Sequence, residues 1–269
     1  MHIVCDDKAN EGGIQVWSQI KVSSLFSDYR IQSTANNEIT MSVSAEALLG
    51  ALRSASPGMT NASSGLESFE TEEVIMKLAK KNDQAVLSFE IKARSGNGRS
   101  AKITQDVRID VKKASVFNEP MCPEPDIHII LPPLIKLRII VDRMKAMADL
   151  LTFQANYSGC MKLGITSDQA TVETEWKSLG VPEMNKDNLA SQPRESTQYD
   201  KKEKDPDKFH AVMVSIRSFL KFLNSHVISS TTIACICQNH CLILYVYIGD
   251  MADAGGVLTY YIPAIIDDD

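Results

Sequence analysis

Apolar residues along this chain fall mostly at every second position. EITMSVS (38–44) sets Ile39, Met41 and Val43 against polar neighbours. AVLSFEIKA (85–93) does the same with Leu87, Phe89 and Ile91, and DVRIDVK (106–112) with Val107, Ile109 and Val111. Alternation of this kind marks half-buried strands of antiparallel sheets. The C-terminal half repeats it in LTFQANY (151–157), CMKLGIT (160–166), TVETEWKSL (171–179), TTIACICQ (231–238), CLILYVYIG (241–249) and VLTYYIPAI (257–265), and HIVC (2–5) also reads as a strand. Three segments carry a helical period instead. Residues 45–56 follow Ser44, a predicted N-cap; residues 134–147 follow Pro132 and Pro133, which suit a first helical turn; residues 216–227 follow Ser215. Many antiparallel strands with few helices predict an α+β fold.

Two of the helices belong to a repeat. Aligning 41–55 with 212–226 matches Val43 with Val214, Ser44 with Ser215, Leu49 with Leu220, Leu52 with Leu223 and Ser54 with Ser225. Both copies read strand, serine cap, helix, so two similar domains are expected. Between them KKASVFNEPMCPEPD (112–126) holds three prolines, which a central strand does not tolerate, and reads as an extended connector. The boundaries expected are therefore 1–111, 112–126 and 127–269. Residues 180–208 are polar and mixed in charge and read as a long loop. The second copy is preceded by a strand (127–131) and the helix at 134–147. The matching place for the first copy falls ahead of residue 1, so the first domain is expected to be incomplete at its start.

Charge sharpens the picture. The 269 residues carry 34 acids against 28 Lys and Arg, a net charge of −6. Yet the helix at 134–147 holds Lys136, Arg138, Arg143 and Lys145 against Asp142 alone. Its apolar side is expected to be Leu134, Leu137, Ile140, Val141, Met144 and Met147. In the third helix Phe219, Leu220, Phe222, Leu223 and Val227 form the apolar side, with Arg217 and Lys221, four residues apart, opposite them beside Ser218 and Asn224. The first helix adds Arg53, balanced by Glu46. Polar helix faces are ordinary solvated surface in most proteins. Cations concentrated on helices of an acidic chain also suit phosphate contacts that read no sequence. No aromatic residue interleaves with them, which favours duplex backbone over stacked single strands.

Other chemistries fade on inspection. Apolar content of 44% with 23% charged residues is that of a folded globular chain. No run of eighteen apolar residues exists, so no membrane-spanning helix is expected. Residues 1–20 carry no secretory signal pattern, so the six cysteines are expected to be reduced thiols. Cys235, Cys237, His240 and Cys241 are the right donor types for zinc, but they lack the paired C-x₂₋₄-C spacing. Cys235 and Cys237 fit one face of a strand, with QNH as a hairpin turn, so no metal and no cofactor is expected. Gly96-Asn97-Gly98 lacks the rest of a dinucleotide fingerprint, and no P-loop, H-E-x-x-H or G-x-S-x-G occurs. The chain is not expected to be an enzyme.

DDKANEGGIQVW (6–17), NNEITMSVSAEALLGALRSA (36–55), PEPDIHIILPPLIKLRIIVDRMK (123–145) and YYIPAI (260–265) together resemble the Hus-type subunit of the nine-one-one checkpoint sliding clamp, a heterotrimer related to PCNA. The motifs run in order along nearly the whole chain. The resemblance implies a PCNA-like DNA-clamp fold: two similar domains, antiparallel sheets outside and helices on the inner wall of a ring around double-stranded DNA. It implies two other clamp subunits, an ATP-dependent clamp loader, repair enzymes and checkpoint signalling proteins as partners, and location in the nucleus. Lys136, Arg138, Arg143, Lys145, Arg217, Lys221 and Arg53 would then face DNA. Edge strands would join subunits, here through Val107, Ile109 and Val111 of VRIDVKK (107–113) and Val172, Thr174 and Trp176 of ATVETEWKSL (170–179). The family begins with a strand and helix that this sequence lacks. A homotrimeric PCNA-like replication clamp is the alternative.

Overall fold

The computed structural model describes residues 1–6, 13–56, 69–95, 98–113, 119–182, 205–249 and 254–266. The strands are β1 His2–Asp6, β2 Gln15–Ile20, β3 Thr40–Val43, β4 Phe69–Lys81, β5 Gln84–Ser95, β6 Ser100–Lys112, β7 Ile127–Ile130, β8 Leu150–Ala155, β9 Met161–Thr166, β10 Thr171–Trp176, β11 His210–Ser215, β12 Ser229–Cys237, β13 Cys241–Ile248 and β14 Gly256–Pro263. The helices are α1 Ala45–Ala55, α2 Leu134–Met144 and α3 Ile216–Leu223, the last running into a 3-10 turn at Asn224–Val227. Among the described residues all the strand pairs are antiparallel.

The chain divides into two compact units, Met1–Tyr29 with Glu119–Asp269, and Arg30–Asn118. This differs from a split near residue 111. The cause is backbone pairing: Gln15–Ile20 bonds along Gly256–Tyr261, so the chain's first strands complete a sheet built mainly by its last ones.

In the larger unit a six-stranded sheet runs β1-β2-β14-β13-β12-β7 and a four-stranded sheet runs β10-β9-β8-β11. One core joins their inner faces to the apolar sides of α2 and α3, through Ile127, Ile129, Leu137, Val141, Phe153, Leu163, Phe219, Phe222, Leu244 and Ile262 among others. Phe219 lies between Phe153 and Phe222, with ring centroids 6.1 and 5.4 Å away, inside the range of favourable tilted and edge contacts. The six-stranded sheet is covered on its other face too. Ile233, Cys235, Cys237, Cys241 and Ile243 are buried there, packed against Cys122 and against Ile130, Tyr245, Tyr247 and Tyr261 of the same sheet. That explains why TTIACICQ is nearly continuous in apolar residues: alternate side chains enter two cores.

Among its described residues the smaller unit has one sheet, β3-β6-β5-β4. Ser44 caps α1 by accepting a hydrogen bond from the Ala47 amide at 3.3 Å. Ala51 and Leu48 pack on Leu87, Phe89, Val107 and Ile109. Val74, Met76 and Leu78 share that sheet face, being cross-strand partners of Ile91, Phe89 and Leu87, yet remain 43%, 37% and 45% exposed. The opposite face carries charge pairs, including Lys77–Glu90 at 3.2 Å, Lys92–Glu73 at 2.6 Å and Lys81–Asp106 at 2.7 Å.

Candidate nucleic-acid interface

α2 buries Leu134, Leu137, Val141 and Met144, the three-and-four spacing of an amphipathic helix. This turns Lys136 and Arg143 outward, and Lys145 sits exposed at the C-cap. Lys136, Arg143 and Lys145 form no ion pair among the described residues. Arg138 is half-buried and reaches Asp142, one turn on, at 3.7 Å. α3 packs beside α2. It buries Ile216, Phe219, Phe222 and Leu223 and exposes Arg217 and Lys221. Arg217 approaches Asp149 at 3.5 Å, both groups well exposed, so this pair leaves the surface charge accessible to another partner. Six of the seven predicted cations thus lie on two adjacent helices of one unit. Arg53, exposed on α1, belongs to the other unit.

Three residues sit differently from the helical expectation. Ser218 is buried rather than polar surface, and Val227 is 75% exposed because the last turn tightens to 3-10 geometry. Met147 is 44% exposed, since α2 stops at Met144. Ile135 and Ile139 had no expected role, yet they stand 48% and 52% exposed among the cations of α2. Their spacing of four residues, off the 134/137/141/144 stripe, was the available signal.

The two proposed edges also differ. β10 pairs only with β9, so the backbone on its other side is unpaired among the described residues. Val172 and Trp176 turn inward against the core, with Thr174 half-buried between them, and Glu173 and Glu175 point out. Lys162 bonds Glu173 at 2.9 Å; the Cys160 thiol donates to Glu175 at 3.1 Å, which helps to hold that carboxyl below its ordinary range. β6 is not a free edge throughout. Thr40–Val43 already pair with Ile109–Lys112, while Val107 and Ile109 are buried under α1 and Val111 is 58% exposed.

A separate cluster forms behind the six-stranded sheet. Cys122, from the segment leading into β7, lies with its sulfur 3.5 Å from that of Cys241. His240 joins them from the β12–β13 turn. The hydrogen bond donated by Cys241 pulls the Cys122 thiol below its ordinary value and pushes Cys241 up. Cys235, one of the sequence candidates, is instead locked in the apolar layer, where burial raises its thiol.

A Hus1-like protein family model matches residues 1–266. The chain is 35% identical over 260 residues to checkpoint protein hus1 of Schizosaccharomyces pombe, covering 94% of this chain and 84% of that protein. It is 29% identical over 268 residues to checkpoint protein HUS1 of Homo sapiens, covering 98% and 85%. The crystal structure of proliferating cellular nuclear antigen from Entamoeba histolytica superimposes with a TM-score of 0.60 at 12% identity, over 98% of this chain and 85% of that one. The chain therefore has a PCNA-like α+β fold. The chain belongs to the Hus1-like family and is a checkpoint clamp subunit.

Proposed function

We propose that this chain is one of three different subunits of a ring that encloses double-stranded DNA and serves, without catalysis of its own, as a scaffold for checkpoint signalling and repair enzymes in the nucleus. An ATP-driven loader would place the ring. The observation that carries this reading is the exposed cation row of α2 and α3 on a chain of net charge −6. Lys136, Arg143, Lys145 and Lys221, with Arg138 and Arg217 beside them, suit phosphates without base readout, and exposed Arg53 on α1 is a further candidate phosphate contact. A topologically closed ring can slide on contacts as weak as the ~10⁻⁴–10⁻⁶ M of non-specific binding. The unpaired side of β10 is the better candidate for a joint to a neighbouring subunit. On β6 the open stretch precedes Ile109, so Val107 would contribute through the backbone while Val111 offers its side chain.

Charge reversal of Lys136, Arg143 and Lys145 in the assembled ring tests the inner-wall assignment. Retention on closed circular DNA should become less salt-dependent, by about 0.9 in the log–log slope for each phosphate no longer neutralised. An unchanged slope and unchanged retention would sink it. The resemblance to PCNA keeps a homotrimer as the second reading, although the family does not favour it. A trimer formed by this chain alone would support the homotrimer.

A further inference from the structure

We propose that Cys122, His240 and Cys241 form a structural zinc site that clips the segment at 119–126 to the β12–β13 hairpin. The donor atoms of these three side chains lie within 4.8 Å of one another. The two sulfurs are 3.5 Å apart. Zinc–sulfur bonds of about 2.3 Å in a tetrahedron place two sulfurs roughly 3.8 Å apart, so these two sulfurs need to part by only tenths of an ångström to share a metal. Two thiolates and an imidazole are donors that zinc prefers over the oxygen ligands of magnesium or calcium.

The backbone holds each donor before any metal arrives. Asp126 anchors the segment twice: its amide donates to Ile236 O at 2.8 Å, and its Oδ2 accepts from the Gln238 amide at 2.8 Å. Farther back, the Tyr261 hydroxyl donates to Glu119 Oε1 at 2.7 Å. Asn239 adopts φ 58°, and the His240 amide closes the turn on Cys237 O at 3.0 Å, with His240 O receiving the Ala264 amide at 2.9 Å. Cys237 stands directly across the strand pair from Cys241, its thiol 3.6 Å from Pro123 O. Its thiol lies outside the cluster, so a Cys₃His set would need that side chain to turn in, and water on the exposed His240 side is the other source of a fourth ligand. Binding of Zn²⁺ displaces one proton from each ligating thiol, which gives the metal affinity a rise with pH. The site is built for holding rather than for chemistry: its ligands fasten a proline-containing segment to a sheet that two cores already fix.

The test uses the full chain in complex with its partner subunits, purified reduced, loaded with zinc and desalted, with bound zinc measured by mass spectrometry. Cys5→Ser, at an exposed cysteine outside the cluster, is the control. About one zinc per chain, unchanged in Cys5→Ser and lost to background in both Cys122→Ser and His240→Ala, is expected. Cobalt substitution should add a thiolate-to-metal absorption that disappears in the same two variants. His240 is exposed and Cys122 half-buried, so both variants should keep native circular dichroism. Zinc absent from the native chain, zinc retained by both variants, or a Cys122–Cys241 disulfide under these reducing conditions would each overturn the proposal.

Discussion

Leu52 and Leu223 occupy matching places in two copies of one strand–serine–helix pattern, and their surroundings are opposite. Leu223 is fully buried, and Leu52 is 50% exposed. Leu49 is likewise 46% exposed, whereas its match Leu220 packs against the larger unit's core. The strands ahead of them also differ in partner: β11 pairs with β8, and β3 pairs with β6. What separates the copies is company. α3 has α2 at its side and two sheets to cover, while α1 is the one helix among the described residues of its unit, on a single sheet. A repeated sequence thus preserves the local turn and cap, and its neighbours decide how much surface is removed from water.

The largest test of this contrast is truncation of the matched leucines. Leu223→Ala should cost about 2–5 kcal/mol through lost burial and a cavity, and Leu52→Ala no more than about 0.5 kcal/mol, as read from denaturant midpoints. An equal cost at both positions would mean that something covers α1 in solution. The caps come next. Ser44→Ala should lose about 1 kcal/mol, whereas Ser215→Ala should change little, because Ser215 makes no side-chain cap bond. Native-state hydrogen exchange should then find α1 amides opening more readily than those of α2; equal protection would break the comparison.

The smallest effect is acid sensitivity of the smaller unit. Hydrogen bonds from Lys102 and Lys77 hold Glu90 below its ordinary carboxyl range, and Lys81 does the same for Asp106. A lowered folded-state value contributes stability that is full above the ordinary value and is lost as pH falls through the lowered one. Asp106 is exposed and Glu90 only half-buried, so solvent screens both, and Glu90→Gln should only slightly flatten the acid limb of the unfolding profile.

Periodicity located nearly every element, because half-buried strands and amphipathic helices write their burial into the order of side chains. β4 escaped for a local reason. Its Glu72, Glu73, Lys77, Lys80 and Lys81 obscure the alternation of Val74, Met76 and Leu78. The hairpin signal was nevertheless present: Asn82 and Asp83 both adopt positive φ, 48° and 65°, the turn that Asn and Asp favour between paired strands. Pairing between distant segments leaves no such trace. Nothing near Gln15 announces that it will bond beside Tyr261, so the compact units could not be bounded from order along the chain. The cysteine cluster was half legible. His240 and Cys241 are adjacent in sequence, but Cys122 is 119 residues away from Cys241 and enters only through folding. The cations of α2 and α3 were readable because exposed charge is a property of the helix itself.

Ile135 and Ile139 bear on how freely such a surface would move. They stand between and beside Lys136 and Arg143, which are about 10 Å apart along the helix at its ordinary rise. An isoleucine offers a phosphate no hydrogen bond, so the cations of this face are set apart by side chains that do not hold one. Each attraction is then a shallow well separated from the next by greasy ground. In a ring that stays on its track by enclosure, tight grip would act as a brake. If this face lines the proposed ring, the two isoleucines give it the quality of a bearing, low in friction because it holds nothing firmly.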